Sequence, residues 1–510
     1  MSRVQRTTLN YLANLTLTGL TIIVGFVLTP ALLRALGEER FGATRAAQDW
    51  LGSLAVFDAA IFSALLPLLA KAYAVSDTDR LRRIFGTALV SYSKLMLVML
   101  LSGGVLIVVI PWLVPVDAES VVDLRLGCAV GLVSTLFVPI GILRGMIDAR
   151  QRSYLLHVMA GLQSIAVSFM AVGFAWLDWG ITGQFAAALA GQCLMAGMLI
   201  SEAWFNSGDL LRGVQWKADP EVAGELSKLN LYGFIAQICG RISLMMDTAI
   251  IAALLEPALI VPFLMSQRLV AFVGGQLLGI GNAAWAAIAE LHGKGEFDRL
   301  NHRMIELTRI TMFLAVAALV PTAAYTRAFV TLWVGETRYA GPAVVTLASL
   351  NVTALAVLSL WGWAIVGTGQ IRRMNFIQIP AMLCNLTISL IATRSLGVVG
   401  PLLGTFLTHV CVSGWAVPRV LREQFGMSLR QLYGAVLIPL ACGLPFAALV
   451  VYVAELRPPG HWPELMLHLA ISPWLYLGTA GWIVFSRDER HEWLGHLRRV
   501  IRKLRRAEGG

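Results

Sequence analysis

The chain has 510 residues, of which 57% are hydrophobic and 14% charged, with a mean hydropathy of +0.72 and a formal net charge of +10. A soluble domain carries about 25% charged residues, so this composition excludes a soluble globular protein and describes a polytopic membrane protein. The bilayer is its solvent.

Apolar runs of roughly 20 residues mark membrane-spanning helices. In chain order they lie near 9–33, 43–70, 84–110, 121–143, 154–176, 181–204, 229–254, 259–288, 304–325, 341–366, 374–393, 398–418, 431–454 and 464–485. Arg3 and Arg6 precede a first run too long to be a cleaved leader, so the first helix is expected to act as the insertion signal. The runs make about fourteen helices in an all-α polytopic fold, and an even number places both termini on one side.

An internal repeat organises these helices. Leu65 to Lys71 followed by Asp79-Arg80-Leu81 recurs as Ala284 to Glu290 followed by Asp298-Arg299-Leu300, a shift of 219 residues, and Leu9-Asn10 recurs as Leu229-Asn230. Two like bundles are a common plan for transporters. The expected organisation is an N-lobe of six helices over 1–206, a linker at 207–228, a C-lobe of six helices over 229–424, two further helices over 425–486 and a basic tail at 487–510.

Lys and Arg set the orientation, because cytoplasmic loops retain them. The termini and the even-to-odd loops hold 29 and the opposite loops 8, so both termini are expected in the cytoplasm. This asymmetry accounts for the positive net charge without nucleic acid. The tail Arg498-Arg499-Val500-Ile501-Arg502-Lys503-Leu504-Arg505-Arg506 reads as an anchor on anionic membrane lipids. Cys128, Cys193, Cys239, Cys384, Cys411 and Cys442 sit in apolar segments without paired spacing and are expected as packing residues, with no metal site. Gly275-xxx-Gly279 and Gly103-Gly104 are expected to let helices approach closely.

Enzyme signatures are missing. There is no GxxxxGK[ST], HExxH or GxSxG pattern and no extramembrane loop of catalytic size, so neither an enzyme nor a cofactor is expected. A membrane-embedded polymerase or glycosyltransferase needs a substantial loop, and a scaffold has little reason to keep paired lobes with buried charges.

Those buried charges carry the functional signal, since each costs about 2.5–3.5 kcal/mol to insert and so faces a cavity or a partner. The second run carries Arg45, Asp49 and Asp58, the third Lys94, the seventh Arg241 and Asp247, and the eighth Arg268; Asp49 and Arg268 are equivalent under the 219-residue shift. Arg45 and Asp49, four apart, can pair on one helical face. Asp58 pairs with Lys94 or titrates as a proton or cation site, and Asp247 is a second candidate for ion coupling. Arg241 and Arg268 outnumber the acids at their depth, which suits an anionic substrate bound by planar guanidinium groups, against pairing within or between lobes. Gln163, Gln184, Gln192, Asn351, Gln378, Asn385 and His409 add polar points that contact sugar hydroxyls or neighbouring helices.

Tyr11-Leu12-Ala13-Asn14, the stretch Leu32 to Gly42 (LLRALGEERFG), Phe57-Asp58, Leu143-Arg144-Gly145, Arg241 with Asp247, Leu332-Trp333-Val334-Gly335, and Asn385 followed by Leu396-Gly397-Val398-Val399-Gly400 resemble the recurrent elements of bacterial polysaccharide and O-antigen flippases. These belong to the polysaccharide transporter branch of the multidrug/oligosaccharidyl-lipid/polysaccharide exporter superfamily. The resemblance spans nearly the whole chain and implies two six-helix lobes that open a central cavity alternately to each side of the bacterial inner membrane. It implies as substrate an undecaprenyl-diphosphate-linked glycan for lipopolysaccharide, capsule or exopolysaccharide, with the polysaccharide polymerase and chain-length machinery as further partners. Arg241, Arg268, Arg45 and Lys94 are then the candidate contacts to the anionic head. The chain departs from the family at Asp58-Ala59-Ala60, where relatives show a glycine, which puts tight packing there in question. The alternatives are an ion-coupled drug or metabolite antiporter of the same superfamily, which favours an acidic lumen, and a lipid II flippase.

Overall fold

The computed structural model describes residues 3–54, 56–150, 152–485 and 489; within these, several side chains of the first, third, ninth and tenth helices lie outside the described set. The basic tail from 490 and the side chains of Ala59 and Ala60 also lie outside it.

The described chain is helical throughout. The first half runs α1 (Arg3–Leu36), α2 (Glu38–Ser53), α3 (Val56–Ala74), α4 (Thr78–Leu113), α5 (Ala118–Val133), α6 (Gly141–Ala149), α7 (Ser153–Trp176) and α8 (Gly180–Arg212), with a 3-10 turn, Ser134–Ile140, joining α5 to α6. The second half runs α9 (Pro220–Leu254), α10 (Ile260–Gly293), α11 (Phe297–Trp333), α12 (Pro342–Gly367), α13 (Ile371–Leu396), α14 (Gly400–Thr408) and α15 (Gly414–Phe425), followed by α16 (Leu429–Leu456) and α17 (Trp462–Val484).

Among the described residues eleven segments are long and apolar enough to cross a membrane, against the fourteen runs expected; the longest, Ile371–Phe425, contains α13, α14 and α15, and the stretches Glu38–Ala74 and Pro220–Leu254 are helical without being among the eleven. The repeat is visible in the element bounds. Shifted by 219, the stretch Glu38–Ala74 falls on Pro257–Gly293, Thr78–Leu113 on α11 and Ser153–Trp176 on α13, each within a residue or two. Apolar residues on the outer faces are the lipid-facing surface: Leu97, Leu101, Val105 and Val108 of α4 follow one helical stripe and are all exposed.

The chain folds as two compact units. The first comprises residues 1–261 and 378–404. Its core gathers Leu65 and Leu69 of α3, Phe85 and Tyr92 of α4, and Met146 and Ile147 of α6. Helix α9 packs in this unit against α2 and α3. A Cβ on Gly42 of α2 would collide with the backbone carbonyl of Pro257, so only glycine allows that approach. Helix α8 starts where Asp123 of α5 accepts from the Ile181 and Thr182 amides at 2.7 and 3.0 Å, and Gly180 supplies the left-handed turn with φ +52.

The linker is shorter than the sequence predicts. Helix α8 is kinked at Ser207, where the backbone leaves helical geometry (φ −152), a further helical stretch runs on to Arg212, and Asp219 caps α9, so 213–219 is the part without helix. That strap is tied to α4: the Thr87 hydroxyl accepts from the Asp219 amide at 2.9 Å, and Arg83 pairs with Asp219 at 3.6 Å. Arg80 pairs with Glu225 at 3.2 Å just beyond it.

The second unit comprises residues 262–377 and 405–510 and is built around α11, which packs against α12, α16 and α17. Phe313, Phe446 and Tyr476 form its aromatic centre with ring centroids 5.0 and 5.1 Å apart, and the Tyr476 hydroxyl donates to the Pro439 carbonyl at 2.6 Å. The expected Gly275/Gly279 contact is not made: nothing lies within 4 Å of a Cβ at either. Gly274 and Gly281 pack instead, against Val352 and Leu360 at 2.9 and 3.2 Å, because these two lie seven residues apart on a different face of α10. In α4, Gly103 meets Leu132 and Gly104 meets nothing within 4 Å. Cys128 and Cys239 are buried, whereas Cys193 and Cys411 face outward, contrary to the packing role expected for all six.

Candidate functional site

A cavity of about 680 Å³ opens within the first unit, and its walls come from five parts of the N-terminal bundle. Arg45 and Gln48 stand three residues apart on α2, which places them on one face. The rod containing α2 breaks at Leu54, and Asp58 enters in the first turn of α3. Gly52, Leu54 and Asp58 therefore line the cavity around the break. Opposite, the 3-10 turn Ser134–Ile140 interrupts α5 and α6 and presents Ser134 and Thr135, followed by Gly141 and Arg144 on α6. Irregular backbone of this kind inside a bundle is tolerated where it lines a cavity. Helix α7 adds Gln163, Ser164 and Ser168, and α8 adds Gln192.

The charge balance of this lining is positive. Among the described residues, Arg45, Arg144 and Asp58 are the charged ones that line it, two cations to one carboxylate. The Arg45 guanidinium donates to Gln48 Oε1 at 3.2 Å and lies over the Phe41 ring, 5.3 Å from its centroid. Arg144 is half-buried and within electrostatic reach of Asp58. Asp58 Oδ1 and the Tyr92 hydroxyl converge on Gly141, at 3.4 and 3.8 Å from where its Cβ would stand.

The other residues singled out in the sequence are placed differently. Asp49 lies within reach of Arg45, but its carboxylate accepts from the Thr248 hydroxyl of α9 and does not line the cavity. Lys94 is exposed on α4 and also does not line it, so the cation that shares the lining with Asp58 and acts on it is Arg144 rather than Lys94. Asp247 is half-buried on α9, and Arg268 is exposed on α10 in the other unit. The side chain of Arg241 lies outside the described residues. Of the polar points, Gln163 and Gln192 reach the cavity, whereas Gln184 is buried and donates to the Ala171 carbonyl at 2.9 Å as a helix-to-helix contact. Asn385 accepts from Ser389 at 3.0 Å within α13, and His409 begins a π-helical turn, His409–Ser413, between α14 and α15.

Arg144 is the residue that the sequence reading missed as a site, since the fourth apolar run was ended just before it. A signal was present: Ile142, Leu143, Gly145, Met146 and Ile147 around it are all buried, so the apolar pattern runs on past the arginine.

No family model matches the chain, and no curated protein matches it by sequence. Solved structures do. A lipid II flippase, MurJ, in an inward closed conformation superposes with a TM-score of 0.68 at 13% identity, covering 91% of this chain and 97% of that one. An inward-facing multidrug resistance MATE family transporter of the MOP superfamily gives 0.63 at 13% identity, covering 78% and 95%. A MOP superfamily transporter from Pyrococcus furiosus, described by the reverse polarity of its binding pocket, gives 0.56 at 14% identity, covering 83% and 96%. The chain therefore has the all-α fold of these membrane transporters.

Proposed function

We propose that the chain is a bacterial inner-membrane flippase for a polyprenyl-diphosphate-linked oligosaccharide, with both termini cytoplasmic and the lobes alternating access. The observation that carries this reading is the net-positive cavity of the first unit, where Arg45 and Arg144 face a space also lined by Gln48, Gln163 and Gln192. Guanidinium groups bind phosphate oxygens in a planar, two-pronged way, and carboxamides and hydroxyls suit sugar. The polyprenyl tail stays in lipid, and the flipped unit passes to the polymerase and chain-length machinery. Arg268 and Arg241, from the second copy of the repeat, remain candidate contacts for an anionic head.

The positive lining argues against an antiporter of organic cations. The likeness to a lipid II flippase supports lipid II as the second reading, since it too is a diphosphate-linked glycan.

Deleting the gene and analysing lipid-linked glycans of spheroplasts by mass spectrometry tests both. Complete repeat units held on the cytoplasmic face, with surface polymer lost, support the first; lipid II accumulation supports the second. Unchanged intermediates with altered sensitivity to cationic dyes overturn both. Complementation with Arg45→Gln/Arg144→Gln is expected to restore export at a level reduced by roughly ten- to a hundredfold, the loss of one or two charge-assisted hydrogen bonds.

A further inference from the structure

Asp58 is the anomaly of the cavity. It is the one carboxylate among the described lining residues, in the same lining as a cation that the proposed substrate would need. The fold does not demand it there. In the second copy of the repeat the position 219 residues on is Leu277, which is 5% exposed and continues α10 without interruption. A carboxylate at this point is therefore a chemical choice rather than an architectural one.

Its surroundings say what the choice does. Asp58 lies in the first turn of α3, where the helix N-terminus favours negative charge. Arg144 shares the cavity lining with it and acts on it electrostatically, and the hydroxyl of the fully buried Tyr92 converges with it on Gly141. Lys94 of α4 is exposed, outside the lining. Arg144 stands one helical turn beyond Gly141 on α6, in the same lining as Asp58, and acts on it through space.

We infer that Asp58 is an internal counter-ion for Arg144, and that the anionic head of the substrate displaces it, so that carboxylate and ligand anion compete for one guanidinium. This rests on the anion-binding reading of the cavity and adds a function for the one acidic residue in it. The competition makes binding reversible: when the head leaves, Asp58 restores the balance of charge, and an empty cavity does not hold an uncompensated cation in the bilayer.

The test uses the full chain, purified in detergent, as wild type, Asp58→Asn and Asp58→Leu, the last carrying the residue found at position 277; thermal melts confirm that each is folded. Phenylglyoxal modification of Arg144, followed by peptide mass spectrometry, reads whether Asp58 shields it. Binding of geranyl diphosphate, against geraniol as the neutral control, reads the anion. The expected result is several-fold faster modification of Arg144 in at least one folded variant, protection by geranyl diphosphate, and binding of that probe about tenfold tighter than in wild type. Unchanged modification overturns the counter-ion role even where geranyl diphosphate binds every protein, which leaves the anion site standing. Faster modification with no binding of geranyl diphosphate above geraniol to any of the three overturns the exchange together with the diphosphate reading. Weaker binding in both variants overturns the competition alone.

Discussion

The rod formed by α2 and α3 and the rod ending in α10 occupy the same place in the two copies of the repeat, with bounds that coincide under the 219-residue shift, yet they differ in what they enclose. In the first, the helix breaks at Leu54 beside a polar cavity; in the second, α10 runs unbroken through Val273 and Gly274, and Gly274 packs against Val352. The lining changes with the backbone. Arg45, Asp58, Arg144, Gln163 and Gln192 correspond by position to Leu264, Leu277, Trp363, Met382 and Cys411. Helix length and order follow from where apolar runs begin and end, which the two copies share. Chemistry follows from a handful of side chains at interior positions, where one polar-for-apolar exchange changes the character of a cavity without moving its walls.

Exchanging the lining breaks this contrast most severely. Arg144→Trp, which brings the residue of position 363 into the first copy, is expected to reduce export by a hundredfold or more, because it removes a cation and fills part of the space. Trp363→Phe, at the equivalent position, is expected to leave export within about twofold. Surface polymer measured in a complemented deletion strain checks both, and equal losses from the two variants would mean that the copies are not functionally distinct.

The second prediction concerns the start of the two rods. Gly42→Ala drives a Cβ into the carbonyl of Pro257, a backbone atom that cannot swing aside, so the variant is expected to lose about 1–3 kcal/mol. The equivalent residue in the second copy, Val261, is already fully buried with a larger side chain, which shows that the element tolerates bulk there. Thermal melts of the purified protein read the loss.

The smallest effect sharpens the comparison within α10 itself. Gly274→Ala is expected to destabilise, since its Cβ would stand 2.9 Å from the Val352 side chain, while Gly275→Ala meets nothing and is expected to hold or gain up to about 1 kcal/mol from helix propensity. Melts that rank the two the other way would place the packing face on Gly275.

Much of this was legible in the chain and some was not. The all-α membrane fold and most of its spans follow from apolar run length, because a bilayer demands about 20 apolar residues per crossing whatever their neighbours. The linker is more helical than its polar residues suggest: beyond the kink at Ser207, which its expected start marks, Asp209 and Arg212 still stand in a helical stretch. Arg45 and Asp58 could be singled out because a charge inside an apolar run stands out at once. Arg144 is harder to single out, since it stands at the edge of an apolar run and only Gly145, Met146 and Ile147 beyond it show that the run continues. Pairing was also hidden: Asp58 faces Arg144, 86 residues away in sequence, rather than Lys94, and Asp49 meets Thr248 from the other half of the chain. Similarly, the sequence pattern GxxxG marks Gly275 and Gly279, whereas Gly274 and Gly281 are the glycines that touch a neighbour.

The sequence by itself determined the class of the protein, the order of its apolar segments and the internal repeat, because these depend on local hydrophobicity and on spacing along the chain. Only the tertiary structure decided which charges share a cavity. Facing depends on helix rotation, on the break at Leu54 and on the 3-10 turn before α6, and these are set by how whole helices pack rather than by any one of them.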